Sequence, residues 1–140
     1  MIPNNVSPEH LNALSPDTLV SNLGIEFTEI GTDYLIAKMP VNEKTQQPMG
    51  LLHGGASVAL AETIGSIGTY LMIDTETQIA VGLEINANHV GGVHSGEVFG
   101  KGTIIHKGKT THIWNIEIRD QREKLISICR LTMMIIKREK

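Results

Sequence analysis

One cysteine stands among the 140 residues, Cys129, so no disulfide framework is available, and in a strand-like segment an unpaired thiol reads as a small buried hydrophobe. No stretch reaches the roughly 18 uninterrupted apolar residues of a membrane span. The opening Met1-Ile-Pro-Asn-Asn5 has neither a charged n-region nor an apolar h-region, so a cytoplasmic protein is expected. A basic excess is missing too: the net charge of -3 and pI near 6.0 offer phosphates no footprint, which argues against nucleic acid as a partner. The six histidines, His10, His53, His89, His94, His106 and His112, lack the paired spacing of a zinc helix or ribbon, so no metal and no cofactor is expected. Repeats and low-complexity tracts are absent as well. What remains, at 41% hydrophobic and 19% charged, suits one domain over residues 1–140 with a single core.

The most apolar helical run starts at about Gly55 and ends at about Ile73. Ala56, Val58, Ala59, Leu60, Ala61, Ile64, Ile67 and Leu71 fall on nearly every face, the pattern of a buried helix. Glu62 lies inside that run, where acids rarely go. A carboxylate taken out of water must be paired, hydrogen-bonded or protonated, and one displaced toward neutrality is suited to general-base chemistry. Upstream, Pro48, Gly50, Gly54 and Gly55 make an irregular approach, so the first free N–H groups of the helix point out near His53 and Gly54 and favour developing negative charge. Ser66, four residues beyond Glu62, shares its face and can help hold a water beside it, or can bond back to a helix carbonyl.

Around this helix the chain reads as strands. Ser7-Pro8 and Ser15-Pro16 each pair an N-cap with proline at the first helical position, giving two short helices within about residues 1–22, the second ending by Gly24. Ile25–Ile30 and Tyr34–Pro40 form a hairpin. From Ile79 to Asn88 the period is two, with Ile79, Val81, Leu83, Ile85 and Ala87 on one face and Ala80, Gly82, Glu84, Asn86 and Asn88 on the other. Glu97–His106, Thr111–Asp120 and Lys124–Ile136 are three further strands, and residues 137–140 are a solvated tail. Met133, Met134, Ile135 and Ile136 suit a last strand buried at a subunit contact. The expected architecture is α+β: an antiparallel curved sheet of about six strands wrapped round one long central helix.

Four motifs in one order, Met39-Pro40-Val41, Gln47-Gln-Pro-Met-Gly-Leu-Leu-His-Gly-Gly55, Leu60-Ala-Glu-Thr-Ile-Gly-Ser66 and Val81-Gly-Leu-Glu-Ile-Asn-Ala-Asn-His89, resemble the hotdog-fold acyl-CoA thioesterases. The resemblance runs from about Leu23 to Ile136. It is closest to the branch with the acid on the helix, which holds hydrolases of hydroxybenzoyl-CoA and dihydroxynaphthoyl-CoA and the proofreading thioesterase of enterobactin synthesis. It implies Glu62 as nucleophile or general base, the Gly54 N–H as donor to the thioester oxygen, Gln47 on the same group, and Ser66 on the water. His53 then either polarises the thioester or braces the turn.

For the acyl-CoA substrate the resemblance implies contacts from Gly55 and Gly82 and from the loop after His89, where Val90, Gly91 and Gly92 replace an expected arginine-bearing segment. The turn His106-Lys107-Gly108-Lys109-Thr110-Thr111 offers cations, hydroxyls and backbone donors to the CoA phosphates, although two lysines in a turn are by default a solvated pair. A homodimer or homotetramer is implied, with the site completed by both chains near Gly82. Gly65 and Gly68 are expected to hollow a flank beside Glu62 for a planar aromatic acyl group. The alternatives are a catalytically silent acyl-CoA-binding protein of the same fold and a thioesterase for acyl carrier protein substrates.

Overall fold

A computed structural model of the chain describes residues 1–139; Lys140, the end of the expected tail, lies outside the described residues. In chain order the elements are α1 (Pro8–Asn12), α2 (Leu19–Asn22), β1 (Glu26–Ile30), β2 (Tyr34–Pro40), α3 (Gly54–Tyr70), β3 (Gln78–His89), β4 (Glu97–Lys107), β5 (Thr111–Asp120) and β6 (Leu125–Lys137). The strands make one sheet in the order β1-β2-β4-β5-β6-β3, every neighbouring pair antiparallel. Consecutive strands β2 and β3 are separated by three others, and α3 is the connection that crosses the sheet between them, packing on β2 through β6. This is the α+β architecture read from the sequence. No described helix is long and apolar enough to cross a membrane.

Alternation decides what faces α3. Leu35, Ala37 and Met39 of β2, Val98 of β4, Trp114, Ile116 and Ile118 of β5, and Cys129, Leu131 and Met133 of β6 are buried beneath it. Trp114, which the sequence reading passed over, is central to this layer. Its ring packs where a Cβ on Gly68 would stand 2.3 Å from Cη2 and one on Gly65 3.2 Å from Cγ. Its Nε1 donates to Thr69 Oγ1 at 2.9 Å, which satisfies the one polar group of a buried indole.

Several expectations change here. Gly65 and Gly68 do not hollow a flank beside Glu62: both face the sheet, where Trp114, Leu131 and Leu35 fill the space. The helix is not buried all round. Ala56, Ser57, Leu60, Ala61, Ile64, Gly65, Gly68 and Thr69 form its buried stripe, while Glu62 stands half-buried on the other side. Nor does β3 keep one packing face. A register shift between Gly82 and Glu84 inserts an extra residue, so Ala80 packs inward before it and Ile85 and Ala87 after it, leaving Val81 and Leu83 exposed. On β6, Met133 and Ile135 point to the helix layer and Ile136 points to the other face. Lys137 is no tail residue but pairs with Gln78. The second short helix is capped by Thr18 rather than Ser15, because Asp17 takes a left-handed φ of 55° that separates Pro16 from it.

Adding one methyl group at Gly68 drives Cβ into the indole. Gly68→Ala should cost about 1 to 3 kcal/mol, seen as a lower urea midpoint at unchanged slope. A midpoint equal to that of the parent would show that α3 does not rest on Trp114 as described.

Candidate active site

The approach to α3 is held from both sides before the helix begins. Thr45, buried, donates through Oγ1 to the Pro40 carbonyl at 2.8 Å and accepts the His53 N–H on its own carbonyl at 2.8 Å. Leu52 N–H donates to the Val93 carbonyl at 2.8 Å and Gln46 Nε2 to the His94 carbonyl at 2.8 Å, which ties this loop to the one after β3. His53 then serves as the N-cap of α3: Nδ1 accepts from the Gly55 N–H at 2.8 Å, and its carbonyl accepts from Ala56 and Ser57. The N–H of Gly54 is left with no acceptor among the described residues.

Two β3 side-chain positions meet α3 at its glycines and its acid. The Glu62 carboxylate lies over Gly82, where a Cβ would stand 2.5 Å from Oε1. At the other end of the strand the His89 ring lies against Gly54, its Nε2 2.7 Å from where a Cβ would be. Ser127, fully buried, holds that ring through Oγ at 3.0 Å from Nδ1. The Ser127 hydroxyl also donates to the Asn88 carbonyl at 3.3 Å.

Glu62 and Ser66 open into a groove of about 430 Å³ along the outer side of α3, lined also by Gly55, Val58, Ala59, Thr63, Ile67 and, from α2, Leu19 and Val20. The lining is largely apolar around one carboxylate. Ser66 Oγ lies 3.6 Å from Met133 Sδ; it is Thr63 that bonds back to the helix, at the Ala59 carbonyl at 2.7 Å. The sequence reading missed Leu19, Val20 and Ser127, since α2 carries no pattern that announces its packing and Ser127 is one serine in an apolar strand.

Other expected residues lie elsewhere. Gln47 folds onto its own turn, its side-chain oxygen accepting from the Met49 N–H, and does not line the groove. Val90 and Gly91 donate to the Ile126 carbonyl at 2.9 and 3.1 Å, and Gly92 packs against Leu51, so this loop is a braced corner beside the approach to α3. His106, Lys107, Lys109 and Thr110 are exposed on the β4–β5 hairpin, closed by Gly108 N–H to the Thr111 carbonyl at 2.8 Å. Lys107 pairs with His112, His112 with Met133 and Met133 with Gly82, so the hairpin stands three strands from Gly82, about 14 Å at the usual strand spacing.

Comparison with known proteins places this geometry. A family model described as Thioesterase superfamily matches residues 49–127. The chain is similar to the 1,4-dihydroxy-2-naphthoyl-CoA hydrolase of Escherichia coli, 47% identical over 131 residues, 94% of this chain and 96% of that one. It is similar to a crystal structure of a Pseudomonas aeruginosa thioesterase bearing alanine for a glutamine, at a TM-score of 0.95 and 43% identity over 98% of this chain and 99% of that one. A Staphylococcus aureus thioesterase follows at a TM-score of 0.81 and 41% identity, over 84% of this chain and 97% of its own. Its solved structures include a glutamine-to-alanine and a glutamate-to-alanine variant at positions fifteen apart, the separation of Gln47 and Glu62.

His112, buried in the row that leads to Gly82, has no hydrogen-bond partner for Nδ1 among the described residues. Burial holds its pKa below the ordinary 6.5, with Lys107, His106 and the terminal amino group adding repulsion. The unfolded chain therefore takes up this proton first: stability falls as pH drops through 6.5 and levels off below the folded-state pKa. Urea midpoints measured from pH 7.5 to 5 should fall less steeply for His112→Leu than for the parent, and equal slopes would assign the pH dependence to other groups.

Proposed function

Since the chain belongs to the thioesterase superfamily and is a thioester hydrolase, we propose that it cleaves an aryl acyl-CoA to the free acid and CoA, with Glu62 as the reacting carboxylate. The observation that carries this is the placement of Glu62: over Gly82, at the floor of an apolar groove that also holds Ser66. As general base, Glu62 takes a proton from a water held with Ser66 while the water oxygen adds to the thioester carbon. As nucleophile, it forms an acyl anhydride that water then opens. In both courses the carbonyl oxygen gains charge and the C–S bond breaks: in the first the thiolate leaves with the proton that Glu62 took from the water, and in the second it takes its proton from solvent, while the water that opens the anhydride returns Glu62 to the carboxylate and releases the acid. With no acceptor among the described residues, the N–H of Gly54 is suited to the oxyanion, a contact worth about 3 kcal/mol where one such donor has been removed elsewhere.

One chain does not bring these groups to one carbonyl. Gly54 and Glu62 are eight residues apart on one helix, about 12 Å along its axis, more than a thioester spans. A second copy resolves this. β3 is an edge strand with Val81 and Leu83 exposed, and an isologous pairing there would bring Gly54 and Gln47 of one protomer toward Glu62 of its partner. The fifteen-residue separation of substituted glutamine and glutamate in the Staphylococcus aureus relative supports Gln47 and Glu62 as the matching pair. The aryl substrate rests on the similarity to the naphthoyl-CoA hydrolase and on the apolar lining, no longer on Gly65 and Gly68.

Glu62→Gln should keep the fold and lower kcat/KM on hydroxybenzoyl-CoA by at least about a hundredfold, since an amide cannot take the proton. Gly82→Ala displaces only the free end of the Glu62 side chain, so Tm should hold while kcat falls. Retained turnover in Glu62→Gln would remove Glu62 from the mechanism, and palmitoyl-CoA outpacing the aryl thioester would end the aryl assignment. Light scattering should report a dimer or tetramer whose activity is lost on dilution; an active monomer would count against the shared site.

A further inference from the structure

Leu19 is the first residue of α2, well outside the residues the family model matches, and the residue is 63% exposed. A single exposed leucine needs no explanation. Its position does. Leu19 lines the groove beside Glu62 and also a second cavity of about 280 Å³ that runs past His53, Gly55, Ala56 and Ala59 toward Lys44. The two cavities share Leu19, Gly55 and Ala59, and on the α3 side of the neck the shared residues carry no more than a methyl group. The bulk that separates the two spaces therefore comes from Leu19.

We propose that Leu19 is a specificity-determining residue for the acyl group: its isobutyl side chain, backed by Val20, closes the chamber beside Glu62 and confines it to compact acyl groups. This rests on the thioesterase reading of Glu62. An acyl group placed with its thioester carbon at Glu62 lies against Val58, Ala59 and Ile67, and a ring or short chain ends before the neck. A longer chain must pass Leu19 to reach the second cavity. Truncating Leu19 joins the spaces, and enlarging it shortens the chamber. The position is exposed at a helix start, so neither change disturbs the core.

The test compares kcat/KM for acetyl-, hydroxybenzoyl- and decanoyl-CoA in the parent, Leu19→Ala, Leu19→Trp and the volume-matched Leu19→Met, with Tm measured for each. Leu19→Ala should raise the decanoyl-to-hydroxybenzoyl ratio by about tenfold, the scale on which apolar pockets discriminate. Leu19→Trp should lower turnover of both larger substrates while acetyl-CoA turnover holds, and Leu19→Met should keep the parental ratio. Ratios within twofold of the parent in both Leu19→Ala and Leu19→Trp, with Tm unchanged, overturn the proposal while leaving the hydrolase reading intact. An equal change in KM for all three thioesters also overturns it, by placing Leu19 on the path of the CoA arm. A parent that hydrolyses none of the three ends both readings.

Discussion

The seat of Trp114 under α3 is the contact on which the site depends. An indole needs room that only missing side chains provide, and Gly65 and Gly68 provide it three residues apart on one helix face. The Thr69 hydroxyl then fixes the ring by its one donor. Together they fix the rotation of α3: with 100° between successive residues, turning the helix by one position would carry Glu62 off Gly82 and put a larger side chain against the ring. The orientation of the acid is thus decided by residues on the far side of the helix.

The second constraint is the extra residue in β3. Strand residues alternate, so Gly82 and His89, seven apart, would fall on opposite faces of a regular strand. The register shift between Gly82 and Glu84 reverses the parity, and both then face α3, one beneath Glu62 and one against Gly54. A bulge beside a functional site is here a means of aiming two positions of one strand at both ends of the same helix.

Much of this was legible in the chain. The bounds of β2 and β5 follow from alternation between turn residues and match the structure, and the α+β architecture follows from one long apolar helix among short-looped strands. The bulge was not legible, because Leu83 is as apolar as its neighbours and fits either parity. The helix faces were misread for a related reason. Glycine and alanine satisfy an apolar pattern on any side, so the stripe that packs and the stripe that stays open looked alike. Gly65 and Gly68 were taken for a hollow beside the acid when the hollow was already filled by a tryptophan 46 residues beyond Gly68 in the chain.

Small residues therefore serve two opposite ends on α3. On the sheet side, Gly65 and Gly68 admit a neighbour to contact distance, and any added atom is paid in strain because the space is occupied. On the groove side, Val58 and Ala59 line space that no described residue occupies, and an added atom at Ala59 costs room for a ligand rather than stability. The same composition along one helix thus separates into a stripe whose substitution is read in folding and a stripe whose substitution is read in substrate choice. Glu62 lies on the open stripe, and its direction is set by the closed one.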